Sequence, residues 1–296
     1  MQNDSRSTNG STSHPGSTPD DKALSVLIED ALVARNLRGM KTLQRVLEPG
    51  YCLRAARLLR DIRGTVLIGT GFPVVDTFET DGPVGAIALY DCLEYLGAEP
   101  VIVCGPPVST ALAANYRVHE ISVGPHDQRE QEALQALAKF KPSLVLSIER
   151  PGQAEDGLYY NMRGEDISAR AACFDTYLRR CDCPSIAIGD GGNEIGMGNV
   201  KEALRELDIT PAHTCCDELI VADVSNWGAY GIIAFLAHWR NEDLLGQIDP
   251  LKILRYLSSL GSVDGVTRRN ELTEDGLSPD EGAALLLQLR RLIGMA

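Results

Sequence analysis

The densest chemistry in this 296-residue sequence lies in one stretch, Gly189-Asp190-Gly191-Gly192-Asn193-Glu194-Ile195-Gly196-Met197-Gly198-Asn199. Its glycines permit positive φ and let a ligand approach bare backbone. Asp190, Asn193 and Glu194 add two carboxylates and an amide with little bulk around them. An apolar run, Pro184 to Ile188, precedes the loop, and a helical pattern, Val200 to Leu207, follows it. The layout is therefore strand, glycine-rich turn, helix, and the unpaired N–H groups of a helix start favour an anion. Glycine alone would serve a tight turn that packs helix on sheet. The polar residues between the glycines point instead to a small-molecule site.

Other carboxylates occupy similar turns. Glu79 and Asp81 stand in Glu79-Thr80-Asp81-Gly82-Pro83, Glu149 heads Glu149-Arg150-Pro151-Gly152, Asp223 precedes Ser225-Asn226-Trp227-Gly228, and Asp264 lies in Val263-Asp264-Gly265. A pocket at such turns could perturb carboxylate pKa values for acid–base work. The same groups could share a hard cation such as Mg²⁺ or Mn²⁺. Arg150, directly after a strand pattern, and Arg163 are the best bidentate donors for a carboxylate ligand, ahead of Arg268 and Arg269. Trp227 fits a pocket wall and the core equally well.

Several familiar chemistries are excluded. Gly69-Thr70-Gly71 is followed by Val74 where a dinucleotide fingerprint needs a third glycine, so NAD and FAD are not expected; nor is PLP. Met197 replaces the lysine of a phosphate-binding P-loop. Gly-x-Ser-x-Gly is absent and the histidines lack metal-ligand spacing. The eight cysteines form no C-x-x-C pair and read as structural thiols of a reducing, cytoplasmic setting. A net charge of -13 argues against nucleic acid or an anionic membrane as partner. No apolar run reaches the ~20 residues that span a bilayer.

The elements that must position these residues alternate along the chain. Residues 1–21 read as a disordered tail, and 22–296 as one α/β domain. Amphipathic helices are expected over 22–36 and 40–61, the second interrupted at Pro49-Gly50. Strands are expected at 65–68, 101–104, 118–122, 143–148, 184–188 and 218–222, and further helices at 84–96, 128–140, 167–179, 200–207, 229–239, 250–260 and 279–293. Such alternation implies a mainly parallel, doubly wound, Rossmann-like sheet flanked by helices. Ligands then bind beyond the carboxyl ends of the strands, where the polar turns cluster.

Gly69-Thr70-Gly71-Phe72, Glu79-Thr80-Asp81-Gly82-Pro83, the central glycine-rich loop, Ser225-Asn226-Trp227-Gly228 and Val263-Asp264-Gly265-Val266-Thr267 together resemble the C-terminal domain of the D-glutamate cyclase family, from about residue 22 to the end. The resemblance implies a hydro-lyase that interconverts D-glutamate and 5-oxo-D-proline plus water. Cyclisation needs a general base for the α-amine and a general acid for the departing oxygen. On this reading Glu194 is the acid–base group, with Asp190 beside it. Asn193 and the backbone of Gly191 and Gly192 stabilise the oxyanion. Arg150 or Arg163 clamps the α-carboxylate, Asn226 and Asp264 contact substrate, and Glu79 and Asp81 hold a divalent metal or the substrate ammonium. An amino-acid substrate is the expected partner, and a homo-oligomer is compatible. The same residues would also suit an amino-acid or nucleotide sensor, or another lactam or amino-acid hydrolase.

Overall fold

The computed structural model describes residues 19–296, so the expected tail lies outside the described residues up to position 18. The first helix already begins inside that expected tail. Its residues run α1 Pro19–Leu32, followed by α2 Met40–Gln44 and α3 Tyr51–Leu59. Gly50, at φ 97°, separates the last two, as Pro49-Gly50 predicts.

The remaining elements alternate as expected. They are β1 Thr65–Thr70, a small hairpin of β2 Pro73–Val74 and β3 Thr77–Phe78, α4 Pro83–Tyr95, β4 Glu99–Cys104, α5 Val108–Leu112, β5 Val118–Glu120, α6 Arg129–Phe140 and β6 Leu144–Ile148. Then come α7 Asp175–Arg180, β7 Ser185–Gly189, α8 Lys201–Leu204, β8 Glu218–Val221, α9 Ser225–Arg240, α10 Pro250–Ser259 and α11 Pro279–Leu292.

Six strands form one parallel sheet in the order β5-β4-β1-β6-β7-β8. Counted within that sheet, this is the 3-2-1-4-5-6 order of doubly wound folds, with its switch point between β1 and β6. β6 and β7 are buried at every residue, which explains their nearly continuous apolar runs. α9 is buried from Ser225 to Ala237 and packs on α1, α3, α4 and α11. It is a core helix, apolar nearly all round.

Three expectations change. The helix expected over 167–179 shrinks to α7. Ile167, Ala171 and Cys173 instead pack with Phe72 and Tyr159 in a separate apolar cluster, and this pulls the chain out of helical geometry. The helix expected over 200–207 becomes a 3₁₀ turn, Met197–Val200, and one turn of α8. Gly196 and Gly198 donate to the carbonyl of Thr214, so the loop is stitched sideways rather than fed into a long helix. Ser225, Asn226 and Trp227, read as loop, form the first turn of α9. Trp227 is fully buried, with the Arg35 guanidinium 4.8 Å from its ring centroid. All eight cysteines are free; Cys215 is exposed while its neighbour Cys216 packs inward beside Gly196, as an extended pair requires. Among the described residues no helix is long and apolar enough to cross a membrane.

Candidate active site

The ends of the central strands deliver carboxylates to one point. Glu149, the first residue after β6, has a φ of 44°, a left-handed conformation that side chains with a Cβ rarely adopt. Gly82 makes room for it: a Cβ there would lie 2.8 Å from the Cβ of Glu149 and 2.9 Å from Thr70 Oγ1. Asp81, just before that glycine, faces the start of α9. Its Oδ1 accepts from Asn226 N at 2.8 Å and its Oδ2 from Ser225 N at 2.9 Å. Asp190 Oδ2 also accepts from Ser225 N, at 3.1 Å, and Glu149 Oε2 accepts from Ser225 Oγ at 2.6 Å. Three carboxyl groups thus meet at the positive end of a long buried helix. The anion-favouring terminus is that of α9, whereas the sequence pointed to the helix after the glycine loop.

Oxygens of Asp81, Glu149 and Asp190 lie within 4.8 Å of one another and could hold a metal ion. The donor set is all oxygen, which suits a hard cation. Glu79, expected with Asp81 as a ligand, stands outside this group of three but lines the adjoining cavity.

That cavity measures about 420 Å³; its buried carboxyl walls are Glu79, Glu149, Asp190, Glu194 and Asp275, with Glu165 at the exposed rim. Arg38 enters it from the turn before α2. One of its terminal nitrogens lies 2.5 Å from both Asp190 Oδ2 and Asp275 Oδ2. Arg38 also donates to the backbone carbonyls of Asp190 and Asp223. The outer wall carries Arg163, Arg170 and Arg268, the last paired with Glu165 at 3.2 Å. Four of the seven non-glycine residues with left-handed φ among the described residues line this one cavity: Val75, Glu149, Arg268 and Asp275. Such strain, of order 1–3 kcal/mol each, gathers where geometry serves function.

Burial and mutual repulsion separate the carboxyl groups. Burial first, then the neighbouring carboxylates Asp275 and Asp81, push Glu79 well above the ordinary range. Burial and Glu194 do the same to Glu149. Burial outweighs the Arg38 charge at Asp190 and raises it too, while Asp81 is raised to about 7. Burial raises Glu194, held back by loop N–H groups, Gly192 foremost. Asp275 goes the other way. Burial lifts it, but the Arg38 charge and hydrogen bonds from Arg38, Asp190 and Asp81 prevail and hold it low. One cavity therefore sets carboxyl groups whose pKa values are raised beside one whose pKa is lowered, the separation that acid–base chemistry between paired carboxyls uses.

The expected residues fall into two groups. Asp190, Asn193, Glu194, Glu79 and Arg163 line the cavity. Glu194 Oε2 accepts from Gly192 N at 2.7 Å, and a side chain on Gly191 would strike Glu194 Oε1 at 2.8 Å. The loop N–H of Gly192 is thus committed to Glu194 and does not face a substrate oxyanion. Asn193 Nδ2 donates to Tyr160 O at 3.0 Å, while its buried Oδ1 has no partner among the described residues. Asn193 therefore offers the cavity an acceptor where the sequence suggested a donor.

Arg150, Asn226 and Asp264 instead brace the site. Arg150 donates to Thr70 O at 2.7 Å and to Ala172 O, and lies over the Phe174 ring. Asn226 Oδ1 accepts from Gly82 N and Gly85 N, and its Nδ2 donates to Glu274. Asp264 accepts from the backbone of Val266, Thr267 and Gly276. Arg150→Met is accordingly expected to lower stability by about 2–4 kcal/mol, since it strands two carbonyls, with the KM of the folded fraction within a few fold of the original. Urea unfolding alongside steady-state kinetics checks both. A substrate clamp would show the reverse pattern.

Arg38, Asp275 and Glu274 did not stand out in the sequence. Glu274 is buried beneath the cavity and bonded to Asn226, and burial pushes it up to about 8. In the unfolded chain it would titrate near ~4.3. The folded protein thus binds an extra proton between those values. This contribution to stability is complete below the lower pKa and is lost as pH rises through about 8. Glu274→Gln should flatten the fall in stability between pH 5 and 8, by at most ~1.4 kcal/mol per pH unit. Urea midpoints of both proteins across that range test it.

The chain matches the D-glutamate cyclase-like, C-terminal family over residues 28–290. It is 34% identical over 211 residues to the human protein named D-glutamate cyclase, mitochondrial. That match takes in 62% of this chain and 34% of the human one, so the chain spans about a third of that relative's length. Among solved structures, an exopolyphosphatase-related protein from Bacteroides fragilis aligns over 84% of this chain and 61% of its own, with a TM-score of 0.42 and 9% identity. With five separate motifs, the six-stranded parallel sheet and a family match over nearly the whole described chain, the protein belongs to the D-glutamate cyclase-like C-terminal family.

Proposed function

We propose that this protein is a hydro-lyase that interconverts D-glutamate and 5-oxo-D-proline plus water. The observation that carries the reading is the cavity that holds raised and lowered carboxyl groups together. An acidic floor with a basic outer wall also suits an amino acid, its ammonium inward and a carboxylate toward Arg163, Arg170 or Arg268. Asn193 Oδ1 accepts from the substrate nitrogen. Glu194 takes the proton that the α-amine must lose before it attacks the γ-carboxyl carbon. Glu149, whose pKa burial and the nearby carboxylates raise well above the ordinary range, supplies the proton that lets water leave. A divalent Mg²⁺ or Mn²⁺ held by Asp81 and Asp190, with Glu149 left free as the acid, would polarise the γ-carboxyl group.

The test is incubation with D-glutamate, then chiral chromatography. D-glutamate should disappear as 5-oxo-D-proline appears in equal amount, with L-glutamate unchanged. Exhaustive chelation should slow the reaction, and Mg²⁺ or Mn²⁺ should restore it. Binding of D-glutamate without turnover, with or without added metal, would favour an amino-acid sensor instead.

A further inference from the structure

A second cavity, of about 270 Å³, opens beside the acidic one and shares Phe72, Pro73, Val75 and Arg170 with it. It lies past β1 and β4, on the other side of the switch point from Glu149 and Asp190. Phe72, Phe78, Pro106, Pro107, Val108 and Val123 form its apolar wall, with Asp76, Arg150 and Arg170 among the polar residues around them. Gly71 has a φ of 101°, and a Cβ there would be 2.8 Å from Val108 Cγ2, so the wall closes tightly against the turn after β1. The two compartments together have the make-up of a ligand site: a few convergent polar groups at one end and apolar surface at the other.

Free D-glutamate leaves the Phe, Pro and Val wall of this compartment unfilled. Its cyclisation expels only water, which gains nothing from leaving into a wall of Phe, Pro and Val. An apolar group carried on the γ-carbonyl would fill that space and be released there.

We propose that the protein also cyclises γ-substituted D-glutamyl amides whose nitrogen bears an apolar group, with the second cavity as the subsite for that group. The inference rests on the D-glutamate reading of the acidic cavity. In the reaction the α-amine nitrogen bonds to the γ-carbonyl carbon, and the bond from that carbon to the substituent nitrogen breaks. The proton lost by the α-nitrogen passes through a cavity carboxylate to the departing amine. The products are 5-oxo-D-proline and a free amine, with no change of oxidation state and no other reactant.

Two amides whose amines are of nearly equal basicity separate the effect of the subsite from that of the leaving group: D-glutamate γ-hexylamide and γ-methylamide. The hexylamide should be cyclised with a kcat/KM about tenfold or more above the methylamide, the scale on which apolar pockets discriminate. Chromatography should show 5-oxo-D-proline and hexylamine in equal amounts. Val108→Phe narrows the cavity and should cut that ratio about tenfold. Val123→Phe makes the same test from another wall should the first variant fail to fold. Turnover of D-glutamate with no turnover of either amide overturns the proposal and leaves the D-glutamate reading standing. Equal use of both amides, or a ratio that neither variant moves, overturns it as well. If neither D-glutamate nor the amides react, the D-glutamate reading itself falls and takes the proposal with it.

Discussion

Glu194→Gln is expected to lower the rate of D-glutamate loss by about 10²–10⁴-fold, the range typical of a positioned acid–base group, while the melting curve changes little. The substitution preserves length and shape. A glutamine oxygen can still accept from Gly192 N, which holds the carboxylate at 2.7 Å. What disappears is the titratable proton, in a cavity wall where burial has raised its pKa and so made the group a better base. Affinity for 5-oxo-D-proline should stay within a few fold, because the product carries no ammonium for the carboxylate to deprotonate. A role confined to ordering the glycine loop predicts the opposite split. Stability would fall by roughly 0.5–2 kcal/mol, as for loss of a cap, and turnover per folded molecule would persist. Melting curves, product affinity and initial rates on this one variant decide between them. Near-normal turnover in a stable variant would shift the acid–base role to Glu149.

The fold was legible because its signals are local. Buried parallel strands such as β6 and β7 show as nearly continuous apolar runs, and amphipathic α3 repeats at helical spacing. Errors arose where tertiary contacts override local pattern. Residues 167–174 carry helix-compatible spacing, yet Phe72 and Tyr159 draw Ile167, Ala171 and Cys173 into another cluster. The rim at which the carboxylates gather was legible too, since strand ends, Gly turns and carboxylates coincide at Asp81, Glu149 and Asp190.

Roles within the site were less legible, because they depend on which atom a side chain turns toward. Asn226 and Asp264 sit in polar turns but spend their oxygens on backbone N–H groups. Arg150 follows a strand at the rim, yet its guanidinium reaches sideways to Thr70 and Ala172. Nothing local distinguishes these from ligand-facing residues. Arg38 is the extreme case. It lies 152 positions from Asp190, in the turn between two helices, and no strand-end pattern marks it. The only available signal was indirect: so many carboxylates at one rim require a cation nearby, and its position could not be read from neighbours in the chain.

Arg38→Met should be the most destabilising single change at this site, by about 3–5 kcal/mol, as when one partner of a buried ion pair is removed. The loss has three parts. The charge that lies 2.5 Å from both Asp190 and Asp275 disappears. The carbonyls of Asp190 and Asp223 lose a donor. The remaining carboxyl groups then face one another uncompensated and must take up protons. Proton uptake gives the prediction its distinctive readout. Asp275 is held low by Arg38 against the effect of burial, so without the guanidinium its pKa must rise. The destabilisation should therefore be smallest in acid, where Asp275 is protonated in both proteins, and grow as pH rises and the wild-type pair ionises. If turnover needs that ionised carboxylate, the acidic limb of the pH–rate profile should move to higher pH in the same variant. Arg38→Lys keeps the charge but not the fork that reaches two carboxylates and two carbonyls. It should recover the pH dependence of stability better than its magnitude. Urea unfolding of wild type, Arg38→Met and Arg38→Lys at pH 3, 5 and 8 tests this, since wild-type Asp275 is held below the ordinary Asp value and takes up its proton only toward the acid end: equal losses across the whole range would mean that Arg38 contributes through its backbone hydrogen bonds alone.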